Sequence, residues 1–296
     1  MKRYILLLFP LFVLSACSRE YCVEENDLFF ATIESPDEFQ TKVYAGDDLK
    51  VLWDADDRVM LFNKHSDGAQ YRFDGETGFN EGSFSRVSGG EYQGSYTFDL
   101  VYSVYPYDEE MFIYNTGEIQ LTLPAIQTYR AHSFGPGANT MISATENNTL
   151  VFKNLCGYLA FKLYGEGVTV KSIKLSGNSD EPIAGSAVAN ATMDAPPTVV
   201  MGYLTTSIIT LDCGSGVELD SSSANYTEFW IVVPPITFSN GFNITVTDIY
   251  GGKYTKSTSQ SITISRNHIS RMAPLRADTN ALTLLEDPEV GTEWDW

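Results

Sequence analysis

Residues 150–163 read LVFKNLCGYLAFKL, the longest strand-like run downstream of the N-terminal leader. Leu155, Leu159, Phe161 and Leu163 share one face at a period of two, and Cys156, Tyr158, Ala160 and Lys162 share the other. Such alternation describes a strand with one face in a core. Asn147-Asn148 precedes the run and Gly165-Glu166-Gly167 follows it, so turn signals stand at both ends. A block of short strand-like segments lies on either side. The run is therefore expected to open a second domain, packed where the two domains meet.

The upstream block carries strand-like segments at 28–33, 50–53, 58–62, 71–73, 82–84, 92–98, 101–105 and 119–123, and residues 133–144 read as a Gly- and Pro-rich loop. The downstream block carries others at 168–175, 183–188, 207–211, 228–233, 242–248, 253–255 and 261–264. Each block has a strand stopped by proline, VYSVYP ending at Pro106 and FWIVVP ending at Pro234. Tyr, Phe, Thr, Val and Ile are abundant, and no long segment has a helical period. The expected fold class is all-β, with two β-sandwich domains in tandem at 28–148 and 149–276 and an acidic tail at 277–296.

Lys2 and Arg3 followed by apolar residues 4–13 read as a secretory signal, to be left out of the fold. Its end, Leu14-Ser15-Ala16-Cys17, resembles a bacterial lipobox, which implies a signal peptide at 1–16 and acylation of Cys17. Each buried CH2 of the acyl chains contributes ~0.8 kcal/mol, so several chains anchor a protein stably. Residues 17–27 are polar and acidic, a tether. The acidic run resembles the surface-export signal of lipoproteins in Gram-negative gut and oral anaerobes, although Arg19 interrupts it. The expected location is the outer membrane, lipid-anchored and facing outward.

The formal charge is −19, and loss of Lys2 and Arg3 with the leader makes it −21. A chain so acidic, with no basic patch, repels nucleic acid and anionic headgroups. With Cys17 assigned to lipid and Cys22 in the tether, Cys156 and Cys213 remain. They either form a disulfide or are two thiols packed in separate strands. No paired Cys or His spacing marks a metal site, and His65, His132 and His268 stand far apart. Asp54, Asp56 and Asp57 cluster, but the twelve-residue calcium loop is missing, and a solvated turn is the better reading. No nucleophile elbow or phosphate loop occurs, and no cofactor is called for. Tyr102, Tyr105, Tyr107, Phe112 and Tyr114 crowd around Pro106. They are either stacking platforms of a glycan-binding surface or ordinary core aromatics, the latter being commoner.

The order of segments carries a family resemblance. A lipobox is followed by LFFATIE, a Thr-basic pair, a Trp-Asp-Asp-aliphatic segment, YSVYP, LPAIQT, LVFKNLCGYLAFKL, a strand ending in VVPP, and SRNHISRMAPL. From about Leu28 to Leu275 the chain resembles the fimbrillin-like lipoproteins, the pilins and accessory subunits of type V pili. The resemblance implies two transthyretin-like sandwiches, a structural or adhesive role at the cell surface with other pilus subunits or surface ligands as partners, and no catalysis. In the family's pilins a protease removes the first strand after a basic residue, and a neighbour's extended strand fills the groove. Here the first strand would be residues 28–33 and the processing residue Lys42, where the pilins typically carry Arg. The donor would be Ala281, Leu282, Thr283, Leu284 and Leu285, unless those residues are simply part of a mobile acidic tail.

Overall fold

The computed structural model describes residues 28–34, 51–90 and 94–277, and every regular element among them is a β-strand. The first eleven are β1 (Leu28–Ile33), β2 (Arg58–Asn63), β3 (Ser66–Phe73), β4 (Glu81–Gly89), β5 (Val101–Tyr105), β6 (Phe112–Ile113), β7 (Ile119–Leu123), β8 (Ile126–Arg130), β9 (Ser133–Phe134), β10 (Met141–Thr145) and β11 (Thr149–Asn154). The rest are β12 (Gly157–Tyr164), β13 (Thr169–Gly177), β14 (Ala184–Asn190), β15 (Thr198–Thr206), β16 (Ile208–Glu218), β17 (Thr227–Val233), β18 (Ile236–Phe238), β19 (Phe242–Asp248), β20 (Lys253–Ser257), β21 (Ile262–Ile264), β22 (Ile269–Arg271) and β23 (Leu275–Arg276).

Seven strands close into a barrel in the order β1-β11-β10-β5-β2-β3-β4. Closure leaves no free edge. β1 completes it, antiparallel to β4 and parallel to β11. The barrel interior is aromatic. Buried Trp53 is surrounded by Phe73, Phe84, Tyr105 and Phe152 at ring separations between 5.0 and 5.9 Å. Such ring pairs add about 0.5–1.5 kcal/mol each beyond their area burial.

The other strands stack in layers. β12 and β17 pair antiparallel, and β22 and β23 run parallel to β12. Leu159, Phe161 and Leu163 of β12, with Phe229, Ile231 and Val233 of β17, face one core, shared with β13, β16 and β19. Tyr158 and Ala160, with Trp230 and Val232, face a second core. That second core includes β7, β14 and the outer side of the barrel wall at Phe62 and Val104. The middle sheet is thus buried on both faces, where one buried face was expected. The alternate positions allow it because only Lys162 among them is charged. Lys162 sits near the strand end, its ammonium 4.2 Å from the Tyr226 ring centroid.

Residues 150–163 are not one strand. β11 belongs to the barrel and β12 to the middle sheet, with Leu155-Cys156 as the handover. Gly157 makes the change possible, since a Cβ there would lie 2.1 Å from the Ser265 carbonyl oxygen. The handover falls inside the run. The two blocks also interleave: β7 pairs with β14, and β8 runs parallel to β16. Further differences are local. Of the expected strand at 50–53, Trp53 makes only an isolated bridge to Phe79. Residues 94–98 form an irregular connection, pinned by Tyr96 N–H donating to the Lys64 carbonyl at 3.0 Å. β9 and all but the last residue of β10 lie within the expected 133–144 loop, and β8 and β15 occupy stretches with no expected strand.

Candidate functional site

β1 sits in a groove between β4 and β11. Its sequence LFFATI alternates, with Phe29, Ala31 and Ile33 buried and Leu28 and Phe30 exposed. Phe29 meets Tyr71 edge-on at 5.3 Å, and Ala31 and Ile33 join the aromatic core. β1 pairs with a strand on each side. Withdrawing it would leave β4 and β11 as two facing edges, each with unpaired backbone groups. The gap would be one strand wide and lined by Phe84, Tyr71 and Phe152.

A polar seam closes the end of this groove. Glu34 follows β1 and accepts hydrogen bonds from Arg266 Nη1 and from the backbone N–H of Asn154. Arg266 Nη1 also donates to the Asn154 carbonyl at 2.8 Å. Asn154 Nδ2 donates to Asn267 Oδ1 at 2.6 Å, and Asn139 Nδ2 donates to Asn154 Oδ1 at 2.6 Å. Tyr158 Oη then donates to Asn139 Oδ1 at 3.1 Å. Asn139, Asn154 and Asn267 are all buried. A chain of bonds therefore runs from the end of β1 to residues past β21. Sequence reasoning assigned none of these side chains a role in a site. The one local signal was at Glu34, a carboxylate directly after an alternating apolar strand.

Beside the barrel mouth lies a cleft of about 280 Å3 lined by Leu52, Trp53, Asp54, Asp57, Arg130 and Phe134 among others. The acidic cluster forms its rim. Arg130 holds Asp54 with two bonds, 2.7 and 3.2 Å. Asp57 Oδ2 accepts from the Asp54 N–H at 2.8 Å, and Asp57 Oδ1 accepts from Tyr105 Oη at 3.1 Å. Burial, offset in part by these bonds, pushes the Asp57 carboxyl above its usual range. Desolvation and the neighbouring Asp57 push Tyr105 higher as well. Asp56 takes a left-handed φ of 66°, as a tight turn requires. The cluster is thus a turn clamped by Arg130 and Tyr105. Among the described residues no three His, Cys, Asp or Glu side chains gather as metal ligands.

The aromatic segment divides. Tyr102 and Tyr105 are buried, and Tyr107 packs against the second core. Phe112 and Tyr114 are exposed, at 46% and 41%, and contact each other at 5.0 Å. Cys156 and Cys213 are free thiols in different cores, Cys156 between the barrel wall and middle sheet and Cys213 on β16. Of the two arrangements open from sequence, the structure carries the separate thiols. Cys17, Lys42 and Ala281 to Leu285 lie outside the described residues.

No family model matches the chain, and no curated protein matches it. Solved structures do. A proposed cell adhesion protein from Bacteroides ovatus ATCC 8483 matches over 86% of this chain and 92% of its own, at 15% identity and a TM-score of 0.50. Another, from Bacteroides uniformis ATCC 8492, matches over 77% and 89%, at 15% identity and 0.46. The tip fimbrial protein Mfa3 from Porphyromonas gingivalis matches over 84% and 95%, at 10% identity and 0.29. The first of these is a likeness of fold.

Proposed function

We propose that this chain is a fimbrillin-like surface lipoprotein, a non-enzymatic pilus subunit or adhesin held to the outer membrane through acylated Cys17. The observation that carries the reading is β1, a first strand that completes a barrel from between β4 and β11. The segment order from LFFATIE to SRNHISRMAPL and the shared fold with a proposed adhesion protein support it. On this reading the tandem transthyretin-like sandwiches correspond to residues 28–148 and 149–276, elaborated by the strand exchange between blocks. Cleavage after Lys42 frees β1, and Ala281, Leu282, Thr283, Leu284 and Leu285 of another copy enter its place, an instance of strand addition. Its partners are then other pilus subunits and surface ligands.

The test is mass spectrometry of surface-exposed protein from cells that make it, with immunogold electron microscopy. A mature chain beginning at Val43, fibres that carry the label, and loss of those fibres on deleting residues 281–296 are expected. Retention of residues 28–42 with fibres unchanged by the truncation overturns strand exchange. Cys17→Ala is expected to release the protein from membranes, and unchanged fractionation overturns the anchor.

A second reading, a glycan-binding surface, draws on exposed Phe112 and Tyr114 at the β6 edge. A glycan array with the ectodomain tests it, and a reproducible hit lost on Tyr114→Ala would favour it.

A further inference from the structure

The Glu34 carboxylate ends in a place built to receive it. Arg266 and Glu34 are largely buried, their side chains 19% and 21% exposed. The guanidinium is held by the Asn154 carbonyl as well as by Glu34. Asn154 is in turn fixed by Asn139 and Asn267, and the Asn267 N–H donates to the Cys156 carbonyl at 2.8 Å. Removing β1 would therefore leave this platform standing, with Arg266 short of its carboxylate and the Asn154 N–H short of its acceptor. A buried donor left unmade costs more than the bond it formed, and more still when it is charged. A strand entering the groove without a carboxylate at this point would meet that penalty. A strand with one would not, because a guanidinium and a fixed N–H preorganise the site for a carboxylate.

We infer that Arg266 and the Asn154 N–H form a carboxylate receptor that selects which strand fills the β1 groove. The occupant must carry an acidic residue one place beyond its last inward-facing aliphatic residue. This inference rests on the strand-exchange reading above. The occupant it designates is the tail of a second copy. Leu285-Glu286 repeats Ile33-Glu34, and aligning the two pairs puts Ala281, Thr283 and Leu285 in the inward places of Phe29, Ala31 and Ile33. Leu282 and Leu284 take the outward places of Phe30 and Thr32. Ala281 cannot make the edge-on contact that Phe29 makes with Tyr71. The tail thus brings less apolar burial than β1 at that end, and the carboxylate decides more of its affinity. Glu286 and Arg266 are the specificity-determining pair.

The experiment uses the full mature chain with a site-specific protease sequence placed at Lys42, nicked in the folded state and freed of the fragment ending at residue 42 by gel filtration in mild denaturant. A labelled peptide of residues 279–286 with an amidated C-terminus is added, and binding is followed by anisotropy. The Glu286→Gln peptide is expected to bind about tenfold more weakly or worse, and Arg266→Gln in the acceptor is expected to bring that ratio near one. Equal binding of the two peptides to the wild-type acceptor overturns the receptor and leaves strand exchange intact. Binding of neither peptide overturns strand exchange, and the receptor with it. Should Arg266→Gln fail to fold, the peptide pair on the wild-type acceptor decides alone, since only the ligand changes.

Discussion

The carboxamide of Gln127 serves Val232 as a neighbouring strand would. Its Nε2 donates to the Val232 carbonyl at 2.8 Å, and its Oε1 accepts from the Val232 N–H at 2.9 Å. The two residues are 105 apart in sequence, and both are buried. β17 has β12 on one side only, so a side chain from β8 completes its pairing in the interior.

Gln127→Leu should therefore destabilise the protein although it adds apolar volume. The substitution strands one buried N–H and one buried carbonyl, each costing about 1–3 kcal/mol, against a gain near 1.5–3 kcal/mol for burying a leucine. The net loss should be about 1–3 kcal/mol. Urea unfolding followed by tryptophan fluorescence measures it, and an unchanged midpoint would refute the assignment.

Both core thiols should resist alkylation in the native protein. Burial pushes Cys156 and Cys213 up to about 12, so neither is a thiolate at pH 8, and thiolate is the reactive form. Iodoacetamide at pH 8 should label neither without denaturant and both with it. A peptide linked between them in non-reducing maps would contradict the two-core arrangement.

Asp57 should give stability a pH dependence opposite to that of a paired carboxylate. Its folded pKa lies above the ordinary aspartate value of 3.8, chiefly because burial disfavours the charged form. The folded state thus holds the proton more tightly than the unfolded state. The stabilisation is full below the unfolded pKa and is lost as pH rises through the folded one. Relative to Asp57→Asn, the wild type should gain stability as pH falls from 7 through that window. Thermal melts of the two proteins across pH 4–7 would show it, and parallel curves would exclude it.

Much of the strand inventory is legible in the chain, because single strands announce themselves by local alternation. β1, β7, β12 and β19 do so, and Pro106 and Pro234 mark the ends of β5 and β17. β10 is hidden by Gly135-Pro136-Gly137, whose turn signals make residues 138–144 read as part of the same loop. β15 alternates poorly, and Val200, Tyr203 and Leu204 stand exposed on it. Pairing is not legible. Strand period says which residues share a face but not which partner lies beside them, so β1 beside β11 and β7 beside β14 came only with the structure. The polar seam is illegible for the same reason: Glu34 and Arg266 are 232 residues apart. Arg266 has no local pattern to mark it, and nothing local pairs it with Glu34.

Asn154 should be the least replaceable polar residue of that seam. It is wholly buried, and its side chain both donates to Asn267 and accepts from Asn139, while its backbone serves Glu34 and Arg266. Asn154→Leu is nearly isosteric and keeps the backbone bonds. It strands the Asn139 donor and the Asn267 acceptor, at about 1–3 kcal/mol each, which exceeds what a leucine of the same size recovers by burial. Asn154→Asp keeps the bond from Asn139 but turns the donor facing Asn267 Oδ1 into an acceptor. It also buries a charge near Glu34, so it should cost at least as much as Leu at pH 7. Acid should narrow the gap, because a protonated carboxyl can again donate to Asn267. Chemical denaturation of both variants at pH 7 and near pH 4 separates these effects. If Asp remains the milder change at pH 7, the donor role of Asn154 is wrong and its side chain faces Asn267 the other way round.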